Sequence, residues 1–378
     1  MPSPSSSAFI KQDVERGPSD AGETYVEKRE SPSPLSIKGR IVRLLSAAAA
    51  AGPWRSAFER TLVRLGHKYP LSRTVQSFWR YFGAELMKRE GSSFSRMAVF
   101  ETGGKMACGE DRSLAQLSLT YYFSGTITGQ HEDEQRVVRF FRQLLKEGDV
   151  FFDLGANFGF YSCYVLPLCG KSGGVHSFEA NPVLLPHLRR AAEANREYGE
   201  IHVNPVAVGG ESGKILPLYG TERIGCSSLY PHDWISRESP VLVPVITIDR
   251  YVSENQVGQI DVMKIDIEGA ELDALKGMEA TFCTCPPKVI VCELTLLPGE
   301  TDPLRHDAEI SRRVSTAADA HDLSDFLKRK GYSLWLIGED GRLRALDTAG
   351  LTADIPLKLT NVAFVRPELS QLRPEIFE

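Results

Sequence analysis

The chain has 378 residues, of which 42% are hydrophobic and 25% are charged, and its formal net charge is −5. This length fits one α/β domain of about 250 residues with an added N-terminal segment. The negative net charge argues against nucleic acid as the main partner. Seven cysteines without metal-ligand spacing favour reduced thiols in a cytoplasmic protein over a disulfide framework.

We predict that two segments precede the main domain. Residues 1–37 are polar and rich in Ser and Pro, which is typical of a disordered tail and not of a signal peptide. Residues 38–128 are predicted to form a helical extension, in which the apolar run over residues 41–51 is too short to cross a membrane. Residues 38–95 hold 11 Lys and Arg against 3 Asp and Glu, a local charge of +8. A solvated basic face explains this charge most simply, and weak contact with an anionic membrane surface or an acidic glycan carrier is the alternative.

The most informative stretch is VFFDLGANFGFY at residues 150–161. Its apolar run predicts a buried parallel strand that ends near Asp153, and a loop with Gly155 and Gly159 then leads into a helix. In open α/β sheets, ligands bind outside the carboxyl ends of the strands. The loop lacks the dinucleotide spacing G-x-G-x-x-G, and an acid before the turn would repel a pyrophosphate. The same acid suits the ammonium group of S-adenosylmethionine, which we therefore predict as the cofactor.

A Rossmann-like alternation of strands and helices is predicted around this stretch. Predicted strands cover residues 174–179, 201–208, 259–265 and 289–293, followed by a closing pair over residues 333–337 and 362–365. Predicted helices cover residues 132–146, 182–198 and 323–330. The polar segment over residues 301–320 is expected to form a lid or a surface excursion. Glu179 ends the second strand, where such folds keep the acid that accepts hydrogen bonds from ribose hydroxyls.

Five motifs in this region resemble the blocks of the FkbM-type methyltransferase family. They are DLGANFG at residues 153–159, FEANP at 178–182, TID at 247–249, MKIDIEGAE at 263–271 and PKVIVCE at 287–293. We place the resembling domain at residues 129–370. The resemblance implies a class I, mostly parallel Rossmann-like sheet with an antiparallel closing strand. It also implies S-adenosylmethionine-dependent methyl transfer to a hydroxyl of a sugar, glycolipid or polyketide-type product.

The resemblance also implies which residues bind the cofactor. The positions that match the family blocks are Asp153, Gly155, Ala156, Asn157, Gly159 and Glu179. Asn181 is expected either to cap the following helix or to contact the adenine, and Asn204 and Val206 are candidates to flank the adenine. Glu132, which follows His131, resembles a family position that would close over the methionine end, with helix capping as the alternative. Ser227 and Ser228 either line the pocket or are ordinary loop serines.

The fourth strand carries the predicted catalytic residues. Strand alternation places Lys264 and Asp266 on the same side, and Glu268 follows in a loop that Gly269 permits. Asp266 is the leading candidate for the base, because a neutral alcohol attacks a sulfonium methyl group poorly. Glu268 is the second candidate. In the structural alternative, Asp266 only hydrogen-bonds loop amides and Lys264 only pairs with it.

Other interpretations stay open at this point. Glu293 ends the neighbouring strand and could hold a divalent ion together with Asp266, but no third ligand is identifiable and no metal is predicted. An NAD-dependent oxidoreductase would need the missing third glycine. A non-catalytic S-adenosylmethionine-binding protein is disfavoured by Asp266 and Glu268. The predicted partner is a small-molecule or glycan acceptor with a free hydroxyl, whose pocket we expect to involve residues 220–240 and 301–320.

Overall fold

The computed structural model describes residues 96–100, 102–108, 132–221, 227–230, 240–295, 317–346 and 359–378. The predicted tail, nearly all of the basic extension, and residues 301–316 of the predicted lid lie outside the described residues. Within the described ranges, none of the helices has the length and apolar character needed to cross a membrane.

The described elements alternate between strands and helices over most of the chain. The strands are β1 (Arg96–Val99), β2 (Lys105–Cys108), β3 (Val150–Leu154), β4 (Gly174–Phe178), β5 (Ile201–Asn204), β6 (Ala207–Val208), β7 (Ile215–Leu218), β8 (Val241–Ile246), β9 (Val262–Ile265), β10 (Val289–Thr295), β11 (Ser333–Ile337), β12 (Leu343–Ala345) and β13 (Leu359–Val365). The helices are α1 (Glu132–Leu144), α2 (Phe160–Cys169), α3 (Leu185–Ala194), α4 (Ile248–Glu254), α5 (Glu271–Lys276), α6 (Glu279–Thr284), α7 (Ala317–Arg329) and α8 (Pro367–Leu372), and a 3-10 turn follows at Pro374–Ile376.

The central sheet has eight strands in the order β12-β11-β13-β10-β9-β3-β4-β5. The five strands from β10 to β5 are parallel, whereas β13 runs antiparallel to both of its neighbours. After β5 the chain returns to the other side of β3 to form β9, so the strand order reverses between β3 and β9. This reversal is the point at which open α/β sheets bind ligands. The predicted mostly parallel sheet with an antiparallel closing strand is confirmed.

Both faces of the sheet are covered by helices. Helices α1 and α2 pack on the face that we call the first face, which carries Phe151, Val262 and Val291. Helices α4, α5 and α7 pack on the opposite face. Parallel strands buried on both sides need apolar residues at nearly every position, which explains why the runs in β3, β9 and β10 were easy to recognise.

Some predicted boundaries were wrong. Residues 201–208 form two strands, because Pro205 has no amide hydrogen to continue the ladder. β6 instead joins a separate sheet with the order β6-β8-β7. The helix expected from Pro182 begins at Leu185, and the last predicted helix begins at Ala317 instead of Leu323. Alanine favours helix strongly, so Ala317 and Ala318 extend α7 into the segment that was expected to be irregular.

Candidate active site

The loop over residues 155–159 joins β3 to α2 at the point where the strand order reverses. Gly155 and Gly159 have φ angles of 83° and 84°, in the left-handed region that favours glycine. A Cβ atom on Gly155 would lie 1.8 Å from the carbonyl oxygen of Asp266. The first glycine is therefore required by close packing of this loop against the end of β9, and it brings the predicted cofactor loop next to the predicted base.

Asp153 lies beneath this loop and is 1% exposed. Its carboxylate accepts hydrogen bonds from the amide of Ser162, at 3.0 Å, and from the Ser162 hydroxyl. Burial raises the pKa of Asp153 to about 6, although the Ser162 hydrogen bond and the Lys264 charge oppose the shift. Asp153 thus fixes the first turn of α2 against β3. Its contact with the ammonium group of a cofactor stays a prediction.

Glu179 follows β4 and is 7% exposed. Its two carboxylate oxygens accept hydrogen bonds from the amides of Asn157 and Asn181, each at 2.7 Å. Burial raises the pKa of Glu179 to about 7. Each carboxylate oxygen has a second lone pair, so Glu179 can still accept hydrogen bonds from ribose hydroxyls while holding the loop.

Asn157 is the residue of the cofactor loop that best fits a ligand. Its φ angle is 52°, which is uncommon for a residue other than glycine. Its side-chain oxygen Oδ1 is buried and has no hydrogen-bond partner in the described part of the chain. A buried unpaired acceptor costs folding free energy unless a donor reaches it. An N–H or O–H group of a bound cofactor would supply that donor, so the loop fits S-adenosylmethionine.

Asn181 has a structural role next to the cofactor loop. Its side-chain amide donates hydrogen bonds to the Thr221 carbonyl, at 2.9 Å, and to the Ser227 hydroxyl, at 3.0 Å. Its Oδ1 accepts a hydrogen bond from the Val183 amide, at 3.0 Å. Because α3 begins only at Leu185, Asn181 closes a turn before the helix, so the helix cap is the wrong one of its two expected roles and adenine contact stays a prediction.

The other predicted cofactor residues are at or near the same sheet edge. Ala156 is buried, and its amide donates to the Phe178 carbonyl at 2.9 Å. Asn204 ends β5, with its side-chain amide 3.2 Å from the Tyr251 hydroxyl. Val206 lies between β5 and β6, and Glu132 begins α1. Adenine contacts for Asn204 and Val206 stay predictions, and His131 lies outside the described residues.

Lys264 is fully buried and lies beside Asp266. Its Nζ is 3.1 Å from Asp266 Oδ2 and 5.4 Å from the centre of the Tyr161 ring. The structure therefore places Lys264 and Asp266 together on one side, as strand alternation predicted. Such a buried ammonium group is stable only when carboxylates compensate its charge.

Glu268 and Glu293 form an acidic cluster with Asp266. Burial, followed by the charges of Asp266 and Glu271, raises the pKa of Glu268 to about 8. The charge of Asp266 is the largest cause that raises the pKa of Glu293 to about 9, and burial is the second. Lys264 opposes both shifts but is a single cation. Carboxyl groups with pKa values shifted this far mark the cluster as a candidate site for proton transfer from a substrate hydroxyl.

Three supporting residues were missed from the sequence. Tyr161 lies over the Lys264 ammonium group, and Ser162 binds Asp153. Glu271, which begins α5, accepts hydrogen bonds from the Gly269 amide at 3.1 Å and the Ile267 amide at 3.3 Å. The acidic first turn of a helix is a recognisable sequence signal for Glu271. Nothing local distinguishes Tyr161 from an ordinary core aromatic.

The loop that carries Glu268 is held from both sides. Glu268 has a φ angle of 53°, so its backbone needs support from its neighbours. The Ser228 hydroxyl donates a hydrogen bond to the Glu268 carbonyl at 2.7 Å, and Glu271 holds the amide of Gly269. Ser228 thus positions the loop. The described residues contain no group of three or more His, Cys, Asp or Glu arranged to hold a metal ion.

Comparisons with known proteins connect this part of the chain with methyltransferases. Residues 153–334 match the model of the Methyltransferase FkbM domain. The chain is 25% identical to Hexuronic acid methyltransferase AglP of Haloferax volcanii over 182 residues, which cover 48% of this chain and 72% of that protein.

Two solved structures are similar to this chain. Fibrillarin of Aeropyrum pernix with bound S-adenosyl-L-methionine is 10% identical with a TM-score of 0.34, covering 72% of this chain and 84% of that chain. The O-methyltransferase from Bacillus cereus in complex with SAH is 11% identical with a TM-score of 0.33, covering 62% of this chain and 80% of that chain. The family match over residues 153–334 and the strand order together carry the assignment: this region resembles the Methyltransferase FkbM domain, and the protein is an S-adenosylmethionine-dependent methyltransferase.

Proposed function

We propose that this methyltransferase transfers its methyl group to a hydroxyl oxygen of a sugar, with Asp266 as the base that receives the hydroxyl proton. The observation that carries the proposal is the acidic cluster around Lys264, directly beside the cofactor loop. The similarity to a hexuronic acid methyltransferase supports a sugar acceptor over a glycolipid or a polyketide-type product.

The proposed reaction needs one proton acceptor and one methyl donor. S-adenosylmethionine supplies an electrophilic methyl group when it is bound at the cofactor loop. The acceptor oxygen forms the new C–O bond while the C–S bond breaks, and its proton passes to Asp266. Lys264 keeps its ammonium group 3.1 Å from Asp266 Oδ2, so the two opposite charges compensate each other within the site.

Glu268 is the second candidate for the base. Its left-handed backbone conformation is supported by Ser228 and by Glu271 through Gly269, which is the kind of local strain that functional sites retain. Its raised pKa of about 8 means that it holds a proton at neutral pH more often than an ordinary glutamate does. We therefore assign the primary role to Asp266, which is paired with the lysine.

The test measures methyl transfer from S-adenosylmethionine to methyl β-D-glucuronide and to methyl β-D-glucoside. Asp266→Asn should lower kcat by roughly 10²–10⁴-fold, the usual contribution of a general base, and should keep its affinity for S-adenosylmethionine. Asp273→Asn is the matched control, because Asp273 is a half-exposed acid on α5 that pairs with Lys276. A fully active Asp266→Asn variant would contradict the proposed base, and no transfer to either sugar would contradict the proposed acceptor class.

Chelation separates direct proton transfer from assistance by a metal. With Asp266 as the base, EDTA should leave the rate of the wild-type enzyme unchanged. Loss of activity in EDTA and recovery with magnesium would instead assign Asp266 and Glu293 to a metal ion that lowers the pKa of the substrate hydroxyl.

A further inference from the structure

A row of polar side chains crosses the first face of the central sheet at its carboxyl edge. Strand pairing places Asp153 opposite Lys264, and Lys264 opposite Val291. Glu293 is two residues beyond Val291 and therefore points to the same face. On the next strand, Glu293 is paired directly with Asn361 in β13. Asn361 thus belongs to the same row as the acidic cluster.

The side chain of Asn361 is buried without the partners that such a group needs. It is 6% exposed, and its Oδ1 has no hydrogen-bond partner in the part of the chain that the structure describes. Directly paired residues in antiparallel strands have Cβ atoms about 4.5–5.5 Å apart. The unpaired oxygen is therefore carried on the residue paired with Glu293, on the sheet face whose apolar core includes Ala363 and Ile337.

Another buried asparagine shows how this fold satisfies such a group when its role is structural. Asn195 is 0% exposed. Its Oδ1 accepts a hydrogen bond from the Lys105 amide at 2.7 Å, and its amide donates to the carbonyls of Lys105 and Ala191. Asn195 joins the end of α3 to β2. Asn361 has no comparable arrangement around its oxygen, although the two side chains are equally large and similarly buried.

We propose that Glu293 and Asn361 form a subsite for a second hydroxyl of the acceptor, next to the hydroxyl that Asp266 deprotonates. This inference rests on the proposed function and narrows its substrate class to a vicinal diol. Asn361 Oδ1 accepts the hydrogen bond of the second hydroxyl, and the Glu293 carboxyl group contacts the same oxygen. The strand register pairs Ile265 with Cys292, so the following residues Asp266 and Glu293 lie side by side, and two adjacent hydroxyls of one sugar ring span them.

The first measurement separates a binding role from a structural one. Asn361→Leu removes a side-chain oxygen that has no hydrogen-bond partner in the described part of the chain and keeps a side chain of similar size, so its melting temperature should equal or exceed that of the wild type. Asn195→Leu is the matched control. It removes a side chain whose hydrogen bonds are all satisfied in the folded protein, so it should melt at a lower temperature than the wild type. If both variants lose stability equally, or if Asn361→Leu and Asn361→Ala both fail to fold, the subsite is contradicted.

The second measurement is calorimetric binding of methyl β-D-glucuronide and its 2-, 3- and 4-deoxy analogues to the enzyme loaded with S-adenosylhomocysteine. Removal of one particular hydroxyl should weaken wild-type binding by about tenfold or more. Asn361→Leu should bind the parent glycoside as weakly as the wild type binds that analogue, and it should no longer distinguish the two. Its affinity for S-adenosylhomocysteine should be unchanged.

The outcomes for the subsite and for the proposed function are distinguishable. Wild-type enzyme that binds the glycoside without methylating it contradicts the proposed function and leaves the subsite supported by the deoxy series. Enzyme that methylates the glycoside but binds every deoxy analogue as tightly as the parent contradicts the subsite alone. Wild-type enzyme that binds none of these glycosides contradicts both.

Discussion

Glu179 shows how a single acid can hold a loop and still serve a ligand. Its carboxylate already accepts two backbone hydrogen bonds, and its pKa is raised to about 7 by burial. In this state the carboxyl group is partly protonated at neutral pH. Hydroxyl donors bind more strongly to the ionised form, so a ligand that donates to Glu179 would favour loss of its proton.

We expect Glu179→Gln to weaken S-adenosylmethionine binding by roughly 1.5–3 kcal/mol, the usual contribution of a hydrogen bond to a charged group. Wild-type binding should tighten as pH rises from 6 to 8 because Glu179 becomes ionised, and the variant should lose this dependence. Isothermal calorimetry measures both effects, with the exposed Glu200→Gln as the control. Equal affinity in Glu179→Gln and the wild type would contradict a ribose contact.

Residue patterns located the acids but not all of their partners. Asp153 and Asp266 were predictable because each follows an apolar run, and Glu179 was predictable because it ends the next strand of the expected alternation. The hydrogen bond between Asp153 and Ser162 was not, since it depends on how α2 packs against β3. The position of Asn361 beside Glu293 also requires the register of two strands that lie far apart in the sequence.

At the scale of elements, the site depends on close contact between the loop after β3 and the end of β9. Gly155 and Gly213 have the same φ of 83°, but their surroundings differ. A Cβ atom at Gly155 would meet the Asp266 carbonyl oxygen at 1.8 Å, whereas one at Gly213 would meet nothing within 4 Å. Alanine substitutions at these two glycines therefore separate the destabilisation that comes from backbone strain from the destabilisation that comes from a steric clash.

Gly213→Ala should lower the free energy of unfolding by about 1–2 kcal/mol, from the left-handed conformation alone. Gly155→Ala should cost clearly more and should also reduce S-adenosylmethionine binding, because the loop must move away from β9. Urea denaturation and calorimetry measure the two effects. Similar losses of stability in the two variants would show that the contact between loop and strand is not tight.

The elements were predicted unevenly, for physical reasons. The buried strands β3, β9 and β10 contain apolar runs, which sequence patterns reveal well. The sheet of β6, β8 and β7 was missed because β6 has only two residues, β7 and β8 contain Pro217 and Pro244, and β8 exposes the apolar residue Leu242. Such strands show neither clean alternation nor a continuous apolar run.

For the whole molecule, the buried acids make stability depend on pH. The pKa values of Glu179, Glu268 and Glu293 are raised to about 7, 8 and 9, above the ordinary value of 4.5. As pH rises above that ordinary value, the unfolded chain releases protons that the folded chain retains. The free energy of unfolding then falls, by up to about 1.4 kcal/mol per pH unit for each group, until pH passes the folded pKa.

We therefore expect the melting temperature of the cofactor-free protein to be higher near pH 5 than near pH 9. Glu293→Gln should be more stable than the wild type at pH 9 and should show a smaller decline between pH 7 and pH 9, because it has no proton to lose. Differential scanning calorimetry at several pH values measures this, with exposed Glu211→Gln as the control. A wild-type melting temperature that rises across this range would contradict the raised pKa values.

The single buried lysine within the cluster of Asp266, Glu268 and Glu293 also bears on how the enzyme distinguishes its cofactor from the product. S-adenosylmethionine carries a positive sulfonium and S-adenosylhomocysteine does not. A cation brought beside Glu268 and Glu293, whose pKa values are raised, favours their ionised forms and expels protons into solvent, so the heat of binding should vary with the ionisation enthalpy of the buffer. That variation should be smaller for S-adenosylhomocysteine. Loss of the sulfonium charge would then draw protons back into the cluster, which couples each turnover to proton uptake and release.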